Sequence, residues 1–435
     1  KWLAVTPPEE PVDPEDPVDT GSTRRSGDDE PEANVQTATV LVGDLETTTL
    51  STTLKTAADG SATLNDLEAD ALLEGAMDEE TIGRNALVLI ALDQEGAEAA
   101  SKTSLTLPVG FVQTLADTTD ARLTLQAEMA KVEFDGKALE SLADQLGGAD
   151  TLTLTMTKVD AGALTEAQKA AAGTRPVFEF TLMASDEMLQ DFGEGTVTIS
   201  VPYTLASGED PEAIVIYHLN AEGTLELLTG RFDISQSSVI FETQHFSRFV
   251  IQHHLVTFTD VPFTAWYKDA LDFAAARGIA AGIGNQRFEP EKQITRGDFV
   301  ILMIQAFGIV PPSGESANFA DAGSTYYTPY LGIAKQLNLV SGVGDQRFEP
   351  EAAITRQDML VMLEKVISFT KWDMPAKYSY NLGNFMDASQ ISDYALSSVQ
   401  RFVDAGWIAG YDRRLMPVKA VTRAEAVQLL YNIQK

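Results

Sequence analysis

The 435-residue sequence predicts a multidomain chain in which a β-dominated α+β region precedes an all-α array of three repeated units. The first observation is a tandem pattern: an aromatic, a helical run, a glycine, a bulky-x-Pro turn and a Thr-Arg pair recur from Phe258, Phe319 and Phe385. The second is a period-two alternation of Thr with Val, Leu or Ile through the middle of the chain. The third is an imbalance of charge. Of 31 basic and 64 acidic residues, 17 and 19 fall in residues 255–435, so the repeats are nearly neutral and the rest of the chain carries about −31.

Residues 1–34 read as an acidic, Pro-rich linker, because Pro7 to Glu32 is a Pro, Asp, Glu, Ser and Gly mixture with too little apolar content to form a core. Residues 35–254 read as a β-dominated surface region, one module or two packed units. Its strand candidates are Thr39 to Val42, Ala86 to Leu92, Thr103 to Leu107 and Thr151 to Met156. Helical segments are expected around Asn65 to Met77, Gly110 to Ala116 and Lys137 to Leu146.

The remainder, 255–435, divides into units of about 256–315, 316–382 and 383–435. Trp266, Tyr326 and Tyr394 each precede Gly282, Gly342 and Gly410 by sixteen positions, and Thr295, Thr355 and Thr422 follow those glycines by thirteen, thirteen and twelve. Such spacing predicts helix-loop-helix modules that bury their apolar faces on one another. Leu271, Ala274, Ala275 and Ile279 mark one amphipathic first helix; Gly278 and Gly406 suit the left-handed position past a helix end. Each second helix opens on a Thr-x-x-acid box, Thr295 with Asp298, Thr355 with Asp358 and Thr422 with Glu425, and all three acids are expected to return the capping bond. Capping does not explain Arg296, Arg356 and Arg423, cations in a first turn where the helix dipole disfavours them. They point either to an anionic ligand or to an ion pair with a neighbouring unit.

The combination resembles the S-layer homology (SLH) repeat, whose motif joins F-x-D, an aromatic-led helix, G-x-x-x-G, F-x-P and I-T-R-x-E, in three copies over about 256–435, with Asp298 and Asp358 where the family usually has Glu. The resemblance implies a pseudo-threefold prism outside a bacterium, holding a surface protein non-covalently to pyruvylated secondary cell wall polysaccharide. Carried over, the family's ligand-binding arginine falls on Arg296, Arg356 and Arg423, and the F-x-D acid on Asp260, Asp321 and Asp387. The leading aromatic falls on Trp266, Tyr326 and Tyr394, and the loop glycine on Gly282, Gly342 and Gly410. The third copy departs: it has Tyr411-Asp412 where the others have Gly284 and Gly344, and its loop is one residue shorter, so the groove around Gly410, taken with Arg423, is expected to be weakest. Gly195 to Tyr203, Ile214 to Tyr217 and Phe241 to Ser247 resemble a β-rich module that often precedes SLH repeats in surface proteins of Firmicutes.

Composition narrows the alternatives. The acidic balance disfavours nucleic acid and anionic membranes as partners. The absence of cysteine excludes disulfides and thiolate metal sites, and no cofactor or metal is expected. No apolar run approaches the roughly 20 residues of a membrane span. The start at Lys1, with neither an initiator Met nor a signal-peptide core, reads as a mature product or an excised portion of a longer chain. His245 is placed by alternation on one face with Phe241, Phe249 and Ile251, a hydrogen-bonded core histidine rather than a catalytic one. H-E-x-x-H, G-x-S-x-G and the P-loop are missing. The resulting expectation is a non-catalytic extracellular protein of the cell wall or S-layer, with wall polysaccharide as partner and possible self-association. The competing readings are an S-layer lattice subunit and the anchoring end of a larger exoenzyme or adhesin.

Overall fold

The computed structural model describes residues 33–42, 45–81, 85–93, 101–228, 230–312, 317–372 and 374–435. The expected linker lies almost wholly outside them. One compact unit ends at His254 and another begins at Leu255.

The unit ending at His254 is β-rich, with two sheets. One sheet runs, neighbour to neighbour, Gln36–Val42, Leu45–Lys55, Asn85–Asp93, Arg122–Gln126, Lys131–Phe134, Val197–Pro202, Ser238–Thr243 and Gly230–Asp233. The other runs Leu225–Leu228, Ile214–Leu219, Arg248–His253, Val177–Ala184, Thr151–Lys158, Lys102–Pro108 and Ser61–Thr63, with Glu187–Leu189 folded back on Val177–Ala184. Alternation decides which side chains go inward. Leu105 and Leu154 face each other in register and are buried, while on the opposite face Ser104 and Thr155, and Thr106 and Thr153, pair hydroxyl to hydroxyl at 3.0 Å. Leu45–Lys55, Asn85–Asp93 and Arg122–Gln126 are parallel neighbours, an arrangement that needs long crossovers. The helices Asp66–Thr81 and Val109–Thr118 lie in those crossovers; with Gly136–Gln145 they join a hydrophobic cluster that takes side chains from both sheets.

The placement of His245 is corrected. Ser238–Thr243 and Arg248–His253 belong to different sheets, so the alternation restarts where the chain crosses between them. Phe246, not His245, is buried there, packed edge-on against Phe134 and Phe192. The His245 ring is half-buried, 4.8 Å from the ring of His218, and burial followed by the nearby His218 lowers its pKa.

The unit from Leu255 has six α-helices among its described residues, two per repeat: Lys268–Ala276 with Arg296–Ala306, Thr328–Gln336 with Arg356–Thr370, and Leu396–Asp404 with Arg423–Gln434. Gly278 and Gly406 take φ of 68° and 73° past the first helices, and Asn338 takes the same role at 57°. Thr295, Thr355 and Thr422 accept a hydrogen bond from the N–H of Asp298, Asp358 and Glu425 at 3.1, 3.3 and 3.3 Å. Of the three acids only Glu425 returns the bond, accepting from the Thr422 N–H at 3.0 Å. The expectation that aspartate would do the same is corrected: one methylene shorter, Asp298 and Asp358 each turn a carboxylate oxygen to a tyrosine hydroxyl of another copy.

Backbone hydrogen bonds join the three copies in a closed cycle. Ile294 N–H donates to Val421, Val421 to Ile354, and Ile354 to Ile294, at 2.9, 3.0 and 3.1 Å. The first N–H groups of each second helix, which no helix can satisfy internally, are taken by the next copy's Pro turn. Arg296 and Gly297 donate to Ala352 and Pro350, Arg356 and Gln357 to Lys419 and Pro417, and Arg423 and Ala424 to Lys292 and Pro290. Each repeat thus closes the helix ends of another, and one apolar cluster runs through all three.

Candidate functional site

Asp260, Asp321 and Asp387 share one geometry. Each carboxylate accepts two consecutive backbone N–H groups: from Phe288 and Glu289, from Phe348 and Glu349, and from Leu415 and Met416, all at 2.8–2.9 Å. The second residue of each pair precedes a proline and is left-handed, with φ of 55°, 58° and 52°. That conformation is costly for a side chain with a Cβ and is further disfavoured before proline, so the aspartate holds a strained turn in place. For Asp260 and Asp321, burial pushes the pKa up, but the two N–H bonds outweigh it and hold the group below the usual 3.8.

A depressed folded-state pKa contributes stability that is complete above the unfolded value and is lost as pH falls through the folded value. Acid titration of the repeats should therefore show a loss of stability beginning below about pH 3.8, and Asp260→Asn combined with Asp321→Asn should flatten that limb. An unchanged acid limb in the double variant would show that these two carboxylates are not its source.

The arginines lie between copies. Arg296 donates from Nε to the Phe348 carbonyl at 2.9 Å and lies over the Phe348 ring at 4.4 Å. Arg423 does the same to Phe288, at 2.8 and 4.5 Å, and reaches the Ala281 carbonyl with Nη2 at 2.8 Å. All three guanidinium groups are nearly buried, and burial lowers each pKa, opposed chiefly by Asp358 for Arg296, Glu425 for Arg356 and Asp298 for Arg423. Arginine nevertheless stays protonated in proteins, so each is a fixed, nearly buried cation between copies, and Arg356 lines a pocket. The pairing with a neighbouring copy's acid is present in part, with Arg296 Nη1 standing 3.7 Å from Asp358.

The leading aromatics close the arrangement. Tyr326 and Tyr394 are largely exposed and donate their hydroxyls to Asp298 and Asp358 at 2.7 Å, the oxygens those short acids did not use for capping. Partial burial and then Asp298 push the Tyr326 phenol up to about 12. Trp266 is half-buried and lines a pocket with Arg356, Glu425 and Gly410. The surroundings of each arginine therefore draw on all three repeats: arginine from one, loop and acid from the next, aromatic from the last.

This cycle corrects the sequence expectation that Arg423 shares a groove with Gly410. Arg356 faces the Gly410 loop, and Arg423 faces the loop of the first copy at Ala281. Asp412 does not occupy a glycine's place either. Asp412 and Arg413, with φ of 48° and 56°, match Asn285 and Gln286 (50° and 53°) and Asp345 and Gln346 (48° and 56°). What the third loop lacks is the residue corresponding to Gly284 and Gly344, so Tyr411 and Arg414 pair directly in a two-residue hairpin whose central residues both take the left-handed conformation. Gly282, Gly342 and Gly410 have an internal reason to be glycine: a Cβ would stand 2.9, 2.5 and 2.7 Å from the carbonyl oxygens of Arg287, Arg347 and Arg414. Any contact they make with a ligand is through the backbone.

The family model of the S-layer homology domain matches residues 257–300 and 318–360. The chain is 27% identical over 249 residues to an amylopullulanase of Thermoanaerobacterium thermosulfurigenes, covering 55% of this chain and 13% of that protein. It is 25% identical over 179 residues to the S-layer protein sap of Bacillus anthracis, covering 41% and 21%, and 34% identical over 117 residues to the surface-layer 125 kDa protein of Lysinibacillus sphaericus, covering 26% and 10%. It thus spans between about a tenth and a fifth of the length of these relatives. The first match covers more residues than lie between Leu255 and Lys435, so that likeness extends beyond the repeats. No helix among the described residues is long and apolar enough to cross a membrane. Two copies that fit the family model, a third that closes the same hydrogen-bonded cycle, and relatives that are S-layer proteins identify the chain as an extracellular SLH-containing surface protein of the cell wall or S-layer.

Proposed function

We propose that the three repeats form a pseudo-threefold prism that anchors the chain non-covalently to an acidic, pyruvylated wall polysaccharide, while residues 35–254 are the displayed, non-catalytic part. One observation carries the reading: a nearly buried arginine lies among residues of all three repeats in each of three related positions, and at Arg356 these residues line a pocket. A buried, permanently charged fork flanked by an aromatic is suited to a carboxylate carried on a sugar, with the guanidinium taking the charge and the ring the apolar face. The relatives support an anchor over an activity, because proteins named as S-layer proteins and proteins named as an amylopullulanase and an exoglucanase match comparable shares of this chain. A stretch shared across such different names fits a common address.

The test is co-sedimentation with purified wall polymer. Residues 255–435 should bind as an isolated fragment and residues 35–254 should not, since the two have separate hydrophobic clusters and only the former carries the grooves. Equal retention of the β-rich fragment would refute the assignment of anchoring to the repeats.

A further inference from the structure

Resting on that reading, we infer that a second cleft beside the Arg356 groove is a subsite for the next, uncharged sugar residues of the same polysaccharide. The cleft has a volume of about 460 Å³, within the roughly 300–1,000 Å³ of small-ligand sites. Trp266, Trp407, Gln428 and Asn432 line both it and the Arg356 pocket, so one chain of sugars can pass from one to the other without leaving the surface.

What builds the cleft is the segment between the second and third repeats. Tyr378 N–H donates to the Asp404 carbonyl at 2.8 Å, Tyr380 N–H to the Asp404 carboxylate at 3.0 Å, and Gln400 Nε2 returns to the Tyr380 carbonyl at 2.7 Å, strapping the segment across the end of helix Leu396–Asp404. The Tyr378 ring lies over Gly406, where a Cβ would come within 2.7 Å of it; at the corresponding Gly278 of the first repeat nothing lies within 4 Å. The strap therefore adds an aromatic wall at one helix end that the first repeat does not have.

The lining matches a sugar in kind. Ring faces of Trp and Tyr pack on the apolar C–H face of a pyranose, and the amides of Gln428 and Asn432 can exchange hydrogen bonds with its hydroxyls. Asp269, Lys377 and Lys435 also line the cleft; all three are exposed, so the one net positive charge they leave is screened by solvent and holds an anion weakly, in contrast to the buried cation next door, which favours a neutral residue here. The Arg356 pocket, at about 20 Å³, thus takes only the carboxylate of the acidic unit, and the neutral continuation lies along the cleft.

Calorimetry on the full chain tests this with two probes from purified wall polysaccharide: its shortest acidic end fragment, and a longer oligosaccharide containing that fragment. The wild type should bind the longer probe more tightly, and Tyr378→Ala should weaken the longer probe roughly tenfold while leaving the short one unchanged. Lys377→Ala, at an exposed position, should give a smaller loss with the same selectivity and serves if Tyr378→Ala does not fold. A wild type that binds both probes equally, or variants that weaken both probes alike or neither, would overturn the subsite while leaving the anchor intact. A wild type that binds neither probe removes the anchoring reading and this one with it.

Discussion

Replacing Asp387 with alanine should destabilise the three-repeat unit by about 2–5 kcal/mol, a large share of the roughly 5–15 kcal/mol of a typical domain. The carboxylate is buried and accepts the N–H groups of Leu415 and Met416 at 2.9 and 2.8 Å. Bonds to a charged acceptor contribute about 1.5–3 kcal/mol each, and relaxation of the left-handed pre-proline residue, strained by about 1–3 kcal/mol, offsets part of their loss. The effect does not stay local. The Met416–Pro417 turn presents the Pro417 carbonyl to the Gln357 N–H, so its collapse opens the joint between the second and third copies. Asp387→Asn keeps one acceptor oxygen and should lose roughly half as much. Urea unfolding of the three proteins gives the comparison. A loss below about 1 kcal/mol for alanine, the range of an ordinary surface change, would mean that the turn holds itself.

Much of this architecture is legible in the sequence because it depends on local rules. Thr followed by Leu every second residue places Leu105 and Leu154 inward whatever the sheet partner is. Thr295, Thr355 and Thr422 announce their helices because a cap needs only the next turn of chain. What stays hidden is anything set by which copy meets which. Tandem order suggests that Arg423 belongs with Gly410, its neighbour in sequence, whereas the cycle hands each arginine to the following copy and returns the last to the first. The position of Asp412 is hidden for a related reason: counting residues from Gly410 aligns it with a missing glycine, while φ aligns it with Asn285 and Asp345. The role of the F-x-D acid as a clamp on the Pro turn is hidden too, since its partners lie 27 to 29 positions away.

Among the three arginines, Arg356→Ala should cost the most in polysaccharide binding, on the order of 1.5–3 kcal/mol. This reverses the ranking that the loop sequences suggest. In the grooves of Arg296 and Arg423 the acid beside the cation is an aspartate that also holds a tyrosine hydroxyl, and its charge stays available to compete with an anionic ligand. In the Arg356 groove the acid is Glu425, whose oxygens are taken by the Lys419 ammonium at 2.9 Å and the Thr422 N–H at 3.0 Å, so its opposition to an anion is reduced. The aromatic there is Trp266, a broader platform without a hydroxyl. Arg296 and Arg423 also stack on Phe348 and Phe288 and donate to their carbonyls, so alanine at either should lower the melting temperature as well as the affinity. Lysine at 356 should recover only part of the binding, since it supplies a point charge in place of a planar fork. Calorimetry with wall-polymer fragments, run beside thermal melts of each variant, separates the two contributions. If Arg356→Ala binds as tightly as the wild type while Arg423→Ala does not, the shorter Gly410 loop has closed that groove to the ligand and Arg356 does not rank first.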